Sequence, residues 1–464
     1  MNIRHLLLPA VLLVTAVSCD NPLDVNPVDV VAEEIAVTDA VSARAALAAA
    51  YDALQDFDYY GTDYVTLLEV LSDNALHTGT FTTYADADLN EVRTDHSGLE
   101  TMWDALYFAI DRANVVLERI PDVPGLDAET RDQMLGEAHF LRALSHHNLA
   151  RVWGEVPVRT TRVRSIDEAS TATRATLAEV YAQIRDDLDR AEALMSVDRA
   201  GRTASDLAVR ALRTRVLAYE ASPAPVGLAT NDWAAVEAQA TAVINTTGLS
   251  LAPSYADLFS MQGGTTSEDI FRVAFGDQDQ GSISYYYVVK SLGGRRELAP
   301  TADIRGAYET GDARADWSVK TDPDNDERYY ASKFPSVSST EHIHVIRLAE
   351  IYLIRAEARA RQGNLAGAVD DYNVLRARAG LPPHVLGVDV VAAEQNVLDA
   401  IWQERRVELA FEGDRWPELV RTGRVDAVMT LHNGSDFPDH QQLFPIPQAE
   451  IDVTGGQLTQ NPGY

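Results

Sequence analysis

Three tyrosines in a row, Tyr285-Tyr286-Tyr287, form the densest aromatic cluster in a stretch otherwise rich in Gly, Ser and Asp, and Trp317 follows them in the same stretch. A second cluster, Phe81 and Tyr84, stands in a Thr-rich loop after Asp73-Asn74. Flat rings stack on the apolar C–H faces of a saccharide while carboxylates and amides bond its hydroxyls, and such sites sit on loops held by a rigid scaffold. The ligand-binding candidates are therefore Tyr84, Tyr285, Tyr287, Trp317, Asp73 and Asn74. In a strand, Tyr285 and Tyr287 would share one face and Tyr286 would take the other, so at least one of the three packs inward.

Other chemistry is weaker. Asp322-Pro323-Asp324-Asn325-Asp326-Glu327 opens like a calcium loop, yet Glu327 stands where a glycine is needed and Lys333 where a bidentate glutamate is needed, so it reads as a solvated acidic turn. His146-His147 and His342-x-His344 suggest a metal, but adjacent helical histidines point about 100° apart and no third ligand stands at useful spacing. With 70 acidic residues, no carboxylate pair singles itself out for glycoside hydrolysis. Neither a phosphate-cradling glycine loop nor a Gly-x-Ser-x-Gly elbow is present. No catalytic residue, metal or cofactor is expected.

The elements that would hold these residues are mostly helices. Met102, Leu106, Ile110, Ala113, Leu117 and Ile120 recur at steps of three and four, which places them on one face of a helix over 101–120. Similar patterns predict helices over 39–56, 129–151, 174–195, 204–221, 232–246, 345–363, 365–379 and 394–422, the last bending at Pro417. Between 247 and 340 the periodicity fades into loop with short strands. In the pair over 347–379, Ala356, Ala360 and Ala368 sit where two antiparallel helices cross beside a Gly363-Asn364 turn, a spacing similar to tetratricopeptide units. The fold class is mainly α: a tetratricopeptide-like helical scaffold with an irregular, loop-rich second lobe. Its parts are an N-terminal scaffold over 39–246, a ligand-bearing insert over 247–340, and a C-terminal scaffold part with an irregular tail over 341–464.

The chain has 464 residues and a formal net charge of −31, which disfavours nucleic acid and adsorption to anionic lipid. Its lysines are Lys290, Lys320 and Lys333, and the remaining basic residues are arginines, read here as a compositional or surface bias. Residues 1–18 have an early Arg and an apolar run too short to span a membrane, the pattern of a removable signal. Ala16-Val17-Ser18-Cys19 resembles a lipoprotein lipobox, with Ala16 where leucine is usual, so Cys19 is the expected lipidation site and 19–38 a tether.

Three C-terminal segments carry a family resemblance. Arg347-Leu348-Ala349-Glu350-Ile351-Tyr352-Leu353-Ile354-Arg355-Ala356-Glu357-Ala358 resembles the RLAEvYLirAEA stretch of the SusD/RagB family, and Glu404 through Trp416 (ERRVELAFEGDRW) is similar to its ERRrELaFEGhRW segment. Leu443 through Ile451, followed by Leu458-Thr459-Gln460-Asn461-Pro462-Gly463-Tyr464, resembles the family's closing signature. The N-terminal half agrees more loosely, and the likeness thins between 247 and 340. The resemblance implies an outer-membrane, lipid-anchored, surface-exposed lipoprotein. It would capture a nutrient, commonly an oligosaccharide, and act as lid to a TonB-dependent, SusC-like porter. Two other classes stay open at this stage: a surface glycan hydrolase, and an interaction scaffold without its own ligand.

Overall fold

The computed structural model describes residues 37–196, 201–260, 265–335, 337, 340 and 342–464. The expected signal over 1–18, Cys19 and nearly all of the tether lie outside the described residues. No helix among the described residues is long and apolar enough to cross a membrane.

The chain enters through α1 (Ala40–Asp52), two irregular helical turns over 53–61, α2 (Asp63–Val70), strand β1 (Ala75–His77) and α3 (Thr82–Asp88). Long helices follow: α4 (Ser97–Arg119), α5 (Ala128–Trp153), α6 (Leu177–Leu194), α7 (Asp206–Ala221) and α8 (Trp233–Ile244). The apolar period of α4 does what it predicts, burying Met102, Leu106, Ile110 and Ala113. Helix α5 is started by Asp127, whose carboxylate accepts the Thr130 N–H, and is stopped by Gly154 at φ 75°. Nearly every residue of α5 from Met134 onward is buried, including His146 and His147, which burial holds neutral by lowering both pKa values, that of His146 to about 4. A reciprocal cap between Thr176 and Glu179 opens α6.

After the insert come α10 (Leu348–Arg361), α11 (Leu365–Arg378), α12 (Glu394–Leu409) and α13 (Arg415–Arg421), with the short α9 (Ile283–Tyr287) inside the insert. Each long helix packs on the next, α4 to α5, α5 to α6, α6 to α7 and α7 to α8, and α8 packs directly on α10, which packs on α11 and α12. This is the nearest-neighbour stacking of a tetratricopeptide-like solenoid. At the α10–α11 crossing Ala356, Ala360, Ala368 and Tyr372 are fully buried, Gly363 turns the chain at φ 81°, and the Asn364 side chain caps α11.

The sequence between α8 and α10 leaves the stack and returns to it. Strand β2 (Asp269–Val273) pairs antiparallel with β6 (Ile343–Arg347), both wholly buried, which closes the excursion at its base. Within it β3 (Leu298–Pro300) pairs antiparallel with β1, joining Ala75 to Pro300 and His77 to Leu298. A hairpin of β4 (Lys320–Asp322) and β5 (Asn325–Tyr330) contains the acidic turn. There Asp322 Oδ1 accepts hydrogen bonds from the Ser291 hydroxyl and the Asp324 N–H.

Two local expectations are corrected. The helix from 394 breaks at Ala410–Asp414, where Phe411 and Gly413 take φ of 66° and 74°, before reaching Pro417. Pro417 instead sits in the first turn of α13, where its missing N–H has no helical partner to lose. The arginines are also not confined to the surface. Arg314, Arg347 and Arg376 rank among the largest fully buried side chains, and Arg142, Arg215, Arg355, Arg405, Arg415 and Arg421 are buried too, most of them forked onto carboxylates. A planar guanidinium satisfies several acceptors at once, which an ammonium cannot do in the same geometry.

Candidate functional site

Pairing of β1 with β3 brings together two clusters that stand some two hundred residues apart in sequence. The loop after β1 carries Phe81 and leads into Tyr84 on α3, and α9, ahead of β3 in the chain, carries the tyrosine run. That run is helical, not extended, so Tyr285 and Tyr287 do not share a face. Tyr285 projects outward with 40% of its surface exposed, whereas Tyr287 is fully buried and packs edge-on against Phe411 at 5.4 Å.

The result is an aromatic platform whose base, Tyr286 and Tyr84, is buried and whose outer rings are exposed. Tyr286 is its centre, with Phe57 at 6.1 Å, Phe81 at 5.7 Å, Tyr84 at 6.0 Å and Tyr285 at 5.8 Å between ring centroids. Phe57, 43% exposed, and Tyr285 form its outer rings, Phe81 is half-buried, and Tyr84 is buried as the floor. The Tyr84 hydroxyl donates to Asp63 Oδ1 at 2.5 Å and accepts from Thr66 Oγ1 at 3.3 Å, so it has no hydrogen left for a solute.

A polar edge completes the platform. The backbone N–H groups of Arg295 and Glu297 donate to the carbonyls of Tyr285 and Tyr286, which lays the returning chain beside the rings. The Arg295 guanidinium stacks 4.0 Å over Phe81, donates to Glu297 Oε2 at 2.7 Å, and reaches Thr80 Oγ1 at 2.9 Å. Glu297 Oε1 accepts the Thr80 and Phe81 N–H groups at 2.6 and 2.5 Å. Burial alone would raise the Glu297 pKa, but the Phe81 N–H, Arg295 and the Thr80 N–H outweigh it and hold the carboxylate low. A Cβ at Gly79 would lie 2.2 Å from the Glu297 carboxyl carbon, so a larger residue there has to displace that carboxylate.

Of the other residues singled out in the sequence, Trp317 packs beside Ala252, Tyr255, Leu258 and Phe259, with Lys320 5.3 Å over its ring, and makes no ring contact with the platform. Asp73 and Asn74 are buried braces. Asp73 is forked by Arg415 at 2.7 and 2.9 Å and bonded by Arg406 at 2.8 Å, and Asn74 donates to Glu69 and accepts from Arg406, both at 2.9 Å. Asp73, Asn74, Tyr84 and Tyr287 thus face inward and offer nothing to a solute in water. Sequence reasoning missed Phe57, Arg295, Glu297 and Gly79. The adjacency of Arg295 and Glu297 to the tyrosine run was the available signal for two of them.

Asp63 gives the floor a titration. Burial pushes its carboxyl up to about 7, with Asp58 adding to the shift and the Tyr84 hydrogen bond opposing it. A carboxyl whose folded pKa is raised lends stability in its protonated form, fully below the ordinary value of 3.8 and progressively less as pH rises through about 7. Asp63→Asn keeps an acceptor for Tyr84 without the charge. It is therefore expected to match the parent's melting temperature near pH 4 and to exceed it above pH 7; a variant that melts lower at pH 8 contradicts this.

The matches to known proteins cover both ends of the chain. A model described as SusD family matches residues 336–464, and one described as starch-binding, associating with outer membrane, matches residues 23–217. The chain is 27% identical to SusD-like protein P38 of Formosa agariphila across 96% of both chains. It is 30% identical to the starch-binding protein SusD of Bacteroides thetaiotaomicron over 45% of this chain and 34% of that one. Among solved structures, a SusD superfamily protein from Bacteroides vulgatus superposes with a TM-score of 0.81 at 20% identity, over 91% of this chain and 99% of that one. A laminarin binding SusD-like protein gives 0.77 at 24% identity, over 92% and 100%. These structural likenesses show the fold.

Proposed function

The chain belongs to the SusD/RagB family, and on that premise we propose that it captures a neutral oligosaccharide on the platform of Phe57, Phe81, Tyr285 and Tyr286 and passes it to a TonB-dependent porter. The observation that carries the reading is the pairing of exposed rings with a fixed polar edge. Phe57 and Tyr285 offer flat apolar faces to a sugar ring, and Arg295, Thr80 and Glu297 are already oriented by one another beside them. Two relatives named for starch and laminarin binding support a glucan as the ligand class.

The site has the chemistry of capture. Glu297 is held deprotonated and fully engaged by His77, Arg295 and two backbone N–H groups, and Asp63, whose carboxyl is pushed up to about 7, is buried where it accepts from the Tyr84 hydroxyl, so neither carboxyl is set to protonate a glycosidic oxygen. Two of the relatives carry names of binding proteins, in keeping with a non-enzyme. The tetratricopeptide-like face and the N-terminal helices would supply the porter interface. Acyl chains on Cys19 would hold an acidic protein at the outer surface of the outer membrane, since about 0.8 kcal/mol per buried CH₂ overcomes repulsion from anionic headgroups. Calorimetric titration with linear glucan oligosaccharides, with reducing ends assayed in the same samples, tests the reading. Heat of binding without new reducing ends is expected; turnover makes the protein a hydrolase instead, and no heat leaves the platform without its glucan.

A further inference from the structure

Helix α4 carries a second concave site that shares no residue with the platform. A cavity of about 390 Å³ runs between α4 and the extended segment 157–163, with Glu450 from the C-terminal tail as a further wall. That volume falls within the usual range for small-molecule pockets, about 300–1,000 Å³. Its apolar side is built from Trp103, Tyr107 and Phe108. Trp103 and Tyr107 pack at 4.9 Å, and the Tyr107 hydroxyl donates to the Pro157 carbonyl at 2.7 Å, which fixes both rings. Arg112 lies 4.5 Å over Phe108, and Phe108 still exposes 45% of its surface.

The polar side carries three carboxylates, Asp104, Asp111 and Glu450, against two guanidinium groups, Arg159 and Arg162. Asp111 is held by Arg162 through contacts of 3.1 and 3.3 Å. Asp104 and Glu450 line the same cavity, and among the described residues no side chain bonds or pairs with either carboxylate. Burial raises the pKa of both, and they repel each other and Glu100; Asp58 adds to the repulsion on Asp104, and Arg159 offsets part of it at Glu450. Two unpaired, mutually repelling carboxylates beside aromatic rings are complementary to a compact cation on an apolar body. An ammonium supplies three donors and cancels the repulsion, whereas a neutral hydroxyl supplies one donor and leaves the repulsion in place. The net charge of −31 adds a field that draws cations.

We propose that this cavity binds an amine-bearing saccharide unit, its ring against Tyr107 and Phe108 and its ammonium on Asp104 and Glu450. The inference rests on the cavity and is independent of the glucan reading of the platform.

The test is calorimetric titration of the full chain with the β-1,4-linked disaccharide of glucosamine and with its N-acetylated counterpart. The free amine is expected to bind at least about tenfold more tightly than the acetylated form. In an Asp104→Asn, Glu450→Gln double variant, whose melting temperature is checked alongside, that affinity falls by at least about tenfold. Equal binding of the two disaccharides, binding of neither, or an undiminished affinity in the double variant overturns the proposal. Binding of a lysine tripeptide as tight as that of the disaccharide overturns the saccharide assignment.

Discussion

Glu408→Ala is expected to destabilise the protein by about 3–5 kcal/mol, because it leaves buried guanidinium groups short of a charge. Glu408 is fully buried and sits at the junction of three arginines. Its Oε1 accepts from Arg347 at 2.5 Å and from Arg378, and its Oε2 accepts from Arg314 at 3.1 Å. Glu268, Asp312, Glu404 and Glu412 complete the network, and Lys333, also fully buried, donates to Glu412 at 2.8 Å. Burial alone would raise the Glu408 pKa, but Arg378, Arg347 and Arg314 outweigh it and hold it well below the ordinary 4.5.

A carboxylate with a lowered folded pKa lends stability that is fully present above its unfolded value and lost as pH falls through the folded one. The deficit of Glu408→Ala should therefore be full at neutral pH and shrink as pH falls below about 4.5, the ordinary value. Denaturant unfolding at pH 7 and pH 3 measures both. A variant as stable as the parent at pH 7 would mean that the remaining acids satisfy the three arginines unaided.

Trp153→Ala is expected to cost about 3–5 kcal/mol and to release the C-terminal tail. The indole is fully buried at the end of α5, edge-on to Trp103 at 5.3 Å and to Phe444 at 5.4 Å, and its Nε1–H donates to the Pro445 carbonyl at 2.9 Å. The tail is tied to the same point through its backbone. The Phe444 N–H donates to the Val152 carbonyl at 2.9 Å, and Asn461 Nδ2 donates to the carbonyls of Trp153 and Phe444 at 3.0 and 2.7 Å. Removing the indole opens a cavity and deletes the central ring of that contact. Limited proteolysis and amide exchange over 437–464 should show early cleavage and lost protection in the variant; a tail as protected as in the parent would place its hold in the Asn461 bonds.

These two sites explain why the motifs that carry the family resemblance are legible in a single sequence although none of them touches the platform. In ERRVELAFEGDRW, Glu404, Glu408 and Glu412 face the Arg314–Arg347–Arg378 network. Arg405 and Asp414 pair with each other at 2.7 Å, and Arg406 and Arg415 hold Asp73. Arg347, Glu350 and Glu357 of the other segment lie in the same ionic interior, Glu350 on Arg215 and Glu357 on Arg421. A buried charge permits few substitutes, so the residues of these segments answer to packing in the ionic interior.

The helices were legible because burial on one face of a helix imposes a period that sequence shows directly, as along Met102 to Ala113. The platform was legible only as two separate aromatic clusters. What joins them is the three-residue pairing of β1 with β3, whose partners are remote and whose strands are too short to leave a period. The tyrosine run misled for a related reason, since five residues of α9 are too few for a helical period to show against three β-prone aromatics. Asp73 and Asn74 look like polar loop residues in sequence. Their role depends on Arg406 and Arg415, more than three hundred residues away.

The most direct test of the platform is a calorimetric titration of a linear glucan oligosaccharide into a Phe57→Ala, Tyr285→Ala double variant beside the parent protein. Both are outer rings with 40% or more of their surface exposed, so the variant should stay close to the parent's melting temperature while losing at least about tenfold in affinity, the equivalent of about 1.4 kcal/mol for two stacking faces. Parent-like affinity in a variant that melts like the parent would contradict the account and move glycan capture away from the Tyr286 platform.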